Sequence, residues 1–290
     1  MSQSSKDLRT FETILKYQVP PFLFHYTSAA GLQGIIDSSS IWASMIQFLN
    51  DTQELQGAIS LCQSLLRRRR DKYEDVHERE LLELLAASLN RVATVNICVC
   101  SFSAQPDLLS QWRGYCPPEG GYCIGFVGQM LIDSFKSHKF TVLPCVYDEN
   151  TKKALLEDVL DFTVPELIAK RRRPTYLSSE LLVEGALESF FRLFYEVAPI
   201  IKDSGFAEEK EWRAVSAPIP ATDPRISYRP QGGLLKPYYE LPLNLRDQPF
   251  PIIAGPTPHK DLALKSLVTV VAKNQLPATP QPSRIPFRNL

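Results

Sequence analysis

The chain has 290 residues, 44% hydrophobic and 22% charged, with 32 Lys plus Arg balancing 32 Asp plus Glu. That length and composition can bury a substantial core, and a net charge of zero excludes the bulk basic field of a general nucleic-acid binder. No charged segment leads into an apolar one at the start, and no apolar run approaches bilayer length. No signal peptide and no membrane contact are therefore expected, and a cytoplasmic setting is.

Pro20-Pro21 ends a short N-terminal helix and opens a strand, Phe22 to His25, in "FLFHYTSAAGLQGIIDSSSIWAS". Thr27 or Ser28 can cap the next helix, whose Leu32, Ile35 and Ile36 share a face. "SIWAS" reads as a second strand. Asn50 and Asp51 of "FLND" are placed to cap a longer helix carrying Leu55, Ala58, Ile59, Cys62, Leu65 and Leu66 on one stripe. Arg67 to Arg70 close that helix, where cations suit the dipole; a solvated face is the plain reading and a phosphate patch the sharper one.

"ELLELLAASLNRV" is a further amphipathic helix and "ATVNICVCSFS" an alternating strand. The cysteines at 62, 98, 100, 116, 123 and 145 form no C-x-x-C pair, so they read as small buried hydrophobes with no metal role. Asp107 can cap a short helix through Trp112 and Tyr115, after which Pro-Pro-Glu-Gly-Gly turns into a strand at Tyr122 to Phe126. "TVLPCVYDE" is expected to pair beside that strand. Residues 151 to 203 carry helical spacing, interrupted by the charged "KRRRP" at 170–174. "EWRAVSAP", "KPYYELPL", "FPIIAG" and "SLVTVVAK" then read as four strands separated by turn residues. The sum is one α+β domain over 1–290, with helical insertions near 51–94 and 150–205.

Three clusters can carry chemistry: His25-Tyr26-Thr27, the block from Ser101 and Ser103 to Trp112-Arg113-Tyr115, and "EEKEWR" at 208–213. A histidine before a helix is commonly structural, and Trp112 and Tyr115 suit a core as well as a ligand. If "EWRAV" is a strand, Glu209, Glu211 and Arg213 share a face. Their carboxylates repel unless a cation or ligand separates them; a surface ion-pair ladder through Arg213 is one solution. Alternation turns Trp212 the other way, into the core.

The order H-Y-T with "GLQGII", then "IWAS", "FLNDTQE", "SFS", "LSQWRGY", "GGYCIGF" and E-x-E-W-R resembles a widespread bacterial domain-of-unknown-function family, over residues 22 to 275. More distantly, the layout is similar to the ADP-ribosyltransferase fold, which implies a split β-sheet core. Such enzymes set a histidine or arginine on the first strand with a hydroxyl nearby, an aromatic or serine in the middle, and a glutamate opening a late strand. The resemblance implies that His25, Tyr26 and Thr27 bind NAD, and that Glu211 is catalytic with Glu209 beside it. The nicotinamide-positioning residue is left open among Ser101, Ser103, Trp42 and Tyr122. Cleavage of the nicotinamide–ribose bond gives an oxocarbenium-like cation that a fixed carboxylate stabilises.

An NAD-dependent transferase is thus the expected function, with a protein, nucleic acid or small molecule as acceptor. Many such enzymes are toxins or defence effectors, and the resemblance implies that role too. The alternatives are a non-catalytic nucleotide-binding or sensor module, and a nucleic-acid-processing protein using Arg67–Arg70 and Lys170–Arg173.

Overall fold

The computed structural model describes residues 9–49, 52–90, 95–172, 179–220 and 222–286. A short helix α1 (Arg9–Leu15) precedes β1 (Phe22–Thr27), α2 (Ala29–Ser38) and β2 (Ser40–Met45). Ser28 caps α2 by accepting from the Gly31 amide at 3.1 Å. Gly31 lets the helix settle onto the end of β1, because a Cβ there would stand 2.0 Å from Thr27 Oγ1. Helices α3 (Thr52–Arg70) and α4 (Val76–Ser88) follow, and β3 (Cys98–Ser103) returns to the sheet. The expected caps Asn50 and Asp51 lie outside the described residues.

Next come α5 (Leu109–Tyr115), β4 (Tyr122–Val127), α6 (Gly128–Ser137) and β5 (Phe140–Pro144), then α7 (Glu149–Arg172) and α8 (Ser179–Val197). The chain closes with β6 (Glu211–Ser216), β7 (Ile226–Gln231), β8 (Leu234–Pro242), β9 (Phe250–Ala254), α9 (Lys260–Lys273) and β10 (Ala278–Pro282).

Among the described residues ten strands form one open sheet, running β10-β9-β4-β1-β3-β2-β8-β7. β6 also pairs β3, and β5 pairs β6. Every pairing is antiparallel except β9 with β10, which α9 joins as a crossover.

β3 is the seam. One edge pairs along its length with β6, from Val99↔Val215 to Ser103↔Glu211. The other edge is shared by two strands: β2 takes Cys98 and Val99, while β1 takes Ser103. Between those contacts β1 and β2 part company, leaving a fork in the sheet over Cys100 to Phe102.

Each face of the sheet has its own core. One packs Leu23, Phe102, Ile124, Phe126, Trp212, Ala214 and Leu241 under α2, α6 and α9. The other packs Val99 and Val215 under α3, α4, α7 and α8, with a smaller cluster of Phe24, Tyr26, Trp112, Cys123 and Ile253 beneath α5. Trp212 is 6% exposed, and the alternation expected for it holds.

Several expectations need correction. "SLVTVVAK" lies in α9, where Leu267 and Val271, one helical turn apart, are the buried pair. Tertiary packing of that stripe outweighs the β preference of Thr269, Val270 and Val271. β5 pairs β6, not β4, because α6 carries the chain over to the other arm. Asp107 does not cap α5, whose N-cap is Leu108; its carboxylate instead accepts from Trp112 Nε1 at 2.7 Å and Ser283 Oγ at 2.7 Å. β7 and β10 are strands the pattern did not announce.

Candidate functional site

His25 Nδ1 lies 3.0 Å from the Ser101 carbonyl, in the part of β3 that pairs with β6 but with neither β1 nor β2. A carbonyl only accepts, so Nδ1 carries the proton and Nε2 is left as an acceptor. Burial holds the imidazole's pKa below its ordinary 6.5; the Ser101 carbonyl works against this, and the Arg229 guanidinium adds to it. The ring is thus neutral at pH 7. Phe102 lies beside it with ring centres 5.9 Å apart.

The register separates the expected residues into two sets. Leu23, His25 and Thr27 stand opposite Phe126, Ile124 and Tyr122 of β4, so His25, Thr27 and half-buried Tyr122 share a face. Phe24, Ser103 and Glu211 form a row across β1, β3 and β6, which puts Glu211 on the opposite face with Tyr26, Ser101 and Ser103. The strands therefore do not bring His25 and Glu211 onto one face.

Tyr26 is 5% exposed, and its ring packs edge-on against Trp112 at 4.8 Å. Its hydroxyl donates to the Gln105 carbonyl and accepts from the Leu108 amide. Ser103 Oγ donates to the Glu209 carbonyl at 2.7 Å and accepts from the Gln105 amide. Tyr26 and Ser103 thus tie the loop after β3 to the sheet.

Glu211 is 4% exposed and fully engaged. Arg213 clasps it through Nε at 2.8 Å and Nη2 at 3.1 Å, and sends Nη1 to the Pro199 carbonyl. Lys202 Nζ reaches Glu211 at 2.7 Å and Glu209 at 2.9 Å. The Glu211 amide donates to Tyr147 Oη. Burial alone would raise the Glu211 carboxyl, but Arg213 and then Lys202 outweigh it and hold the pKa down to about 2. The expected pairing of Arg213 with a carboxylate is present, as a buried network and not a surface ladder. Lys202 was not singled out in the sequence, where "IIKDSG" looks like an ordinary loop cation.

A second group stands on β2, β7 and β8, and the register Ser44↔Val99 and Ser44↔Tyr238 sets Trp42, Ser44, Tyr238 and Arg229 on the Glu211 face, opposite His25. Trp42 is 41% exposed, with its ring 4.4 Å from that of Tyr238. Arg229 of β7 lies over Trp42 at 5.3 Å, and its Nη2 donates to Ser44 Oγ at 3.2 Å.

Three residues of the basic runs are paired with carboxylates. Arg69 bonds Asp161 at 2.6 Å, Arg70 bonds Glu83 and Asp71, and Lys170 bonds Glu166. Arg173 lies outside the described residues. The cysteines are free thiols, and burial raises those of Cys62 and Cys98 to about 12. Among the described residues no cluster of His, Cys, Asp or Glu could hold a metal ion, and no helix is long and apolar enough to cross a membrane.

Residues 111–214 match the model of a family described as a protein of unknown function, DUF2971. The matched stretch carries the Glu211 network and leaves out His25, Trp42 and Arg229. Neither a curated protein nor a solved structure matches the chain.

Proposed function

We propose that the chain binds a nucleotide, with NAD as the preferred candidate, in the fork where β1 and β2 separate on β3. The observation that carries this reading is His25 set into the fork, its Nδ1 committed to the Ser101 carbonyl. The neutral ring then offers an acceptor at Nε2, which suits a ribose hydroxyl. A fork of this kind is also what the similarity to ADP-ribosyltransferases leads one to expect. The reading is of a nucleotide-binding module.

Glycosyl transfer is the second reading, favoured by a Glu211 carboxylate that stays ionised and opens β6 beside Ser103. Two cations already neutralise that charge, so little of its field remains for an oxocarbenium ion. Transfer would require Glu211 to give up Lys202 or Arg213.

The test is NAD titration by calorimetry, with nicotinamide release measured on the same samples. Wild type is expected to bind NAD, and His25→Ala to weaken binding about tenfold through loss of one ring contact. Failure of wild type to bind NAD would reject the nucleotide reading. Nicotinamide release that disappears in Glu211→Gln, with folding and NAD affinity retained, would favour transfer over binding alone.

A further inference from the structure

Arg229 differs from Arg213 and from neighbouring Arg225. Arg213 holds Glu211, and Arg225 holds Asp223 at 2.6 Å. Half-buried Arg229 is in ion-pair contact with no carboxylate among the described residues; its contacts are the Ser44 hydroxyl and the Trp42 ring. Its Nε is shut off from solvent without a hydrogen-bond partner. A guanidinium carries five donors and needs acceptors for them when water is excluded, so an orphaned donor beside a ring is a costly arrangement.

The charges around it do not supply the missing acceptor. Lys236 stands opposite Arg229 on β8 and adds a second cation. Glu240 stands opposite Trp42, with its Oε1 taken by Ser40 Oγ at 2.5 Å. His25 lies near enough for Arg229 to disfavour its protonation. On the Glu211 face, the β2 side of the fork thus holds excess positive charge, hydroxyl groups and an aromatic floor, with His25 behind it on the other face.

We propose that Arg229 is the anchor for an oxyanion of the ligand, a phosphate or a carboxylate, with Ser44 orienting the guanidinium. The proposal rests on the fork being a ligand site and adds the group that the ligand must carry. A planar guanidinium binds an oxyanion through paired N–H groups, and Nε is one of the natural pair. Offering Nε requires the group to turn off the Trp42 ring, so occupancy alters the surroundings of a half-exposed indole.

The experiment titrates the protein with inorganic pyrophosphate and, separately, with malonate, following tryptophan fluorescence. Trp42→Phe identifies the responding indole. One of the two anions is expected to give a saturable change, weakened at least about tenfold in Arg229→Met and partly retained in Arg229→Lys. Which anion saturates tells phosphate from carboxylate. Unliganded Arg229→Met is expected to melt at or above the wild-type temperature, since no ion pair is lost. The proposal is overturned if wild type saturates with neither anion, or if Arg229→Met titrates like wild type. A melting temperature far below wild type in that variant would also overturn it, by making the arginine structural. With NAD in parallel, the two failures separate. Pyrophosphate binding without NAD binding rejects the nucleotide reading alone. NAD binding equally well to wild type and Arg229→Met rejects the oxyanion anchor alone.

Discussion

At the scale of single residues, the charge on Glu211 does structural work that its place in an E-x-E-W-R motif does not reveal. Removing one member of a buried ion network leaves the others uncompensated, typically at about 3–5 kcal/mol. Glu211→Gln is therefore expected to lower stability by about that amount, because Gln offers Lys202 and Arg213 one neutral acceptor in place of a carboxylate. Chemical denaturation checks this, and Lys202→Met combined with Glu211→Gln should cost less than the two changes summed. A Glu211→Gln protein as stable as wild type would show that the network contributes little. In the sequence, His25, Tyr26 and Thr27 are grouped by adjacency and resemblance alone. β1 runs on to Thr27, past the expected end at His25, which puts His25 and Thr27 on one face, and Tyr122 joins them only through pairing with β4. Lys202 and Arg229 were not legible. Each is a lone cation in a polar stretch, and only long-range packing buries it.

At the scale of elements, the helices with a clean apolar stripe and the strands β1 to β4 follow directly from their patterns. The misreading of α9 has a physical cause: a run of β-branched residues fits a strand locally, and only the packing of Leu267 and Val271 decides for a helix. β7 and β10 escaped because Pro230 and two prolines in "ATPQP" argue against pairing, although edge strands tolerate proline. The start of α2 offers a direct test. Ser28→Ala removes the cap on the Gly31 amide and is expected to cost about 1 kcal/mol. Ser28→Asp should restore most of it, since aspartate caps as well as serine. Denaturant midpoints at constant m-value measure both; an unchanged midpoint in Ser28→Ala would show that the cap is energetically idle.

At the scale of the whole molecule, the depressed pKa values of His25 and Glu211 contribute to the acid limb of stability. Folding keeps His25 neutral below its ordinary 6.5, so the unfolded chain binds a proton first and stability declines as pH falls through that value. Glu211 follows: its contribution is complete above the ordinary carboxylate value of 4.5 and is lost as pH falls toward about 2. Denaturation midpoints at pH 7.5, 5.5 and 3.5 should therefore fall in two stages. His25→Asn should flatten the first stage and leave the second. A wild-type midpoint that rises between pH 7.5 and 5.5 would contradict the buried neutral ring.

The shared strand β3 also constrains how the chain can reach this structure. Its partners lie far behind it in β1 and far ahead in β6, with helices α3 and α4 separating it even from β2. No hairpin can nucleate it, and loop-closure entropy must be met before any of these pairings is rewarded. Folding is expected to be slow for the chain length and limited by assembly of the seam, while α3–α4 and α7–α8 form early as local helical hairpins. During synthesis, Cys98 to Ser103 would wait as a largely apolar strand with an open edge until residues 211–216 emerge.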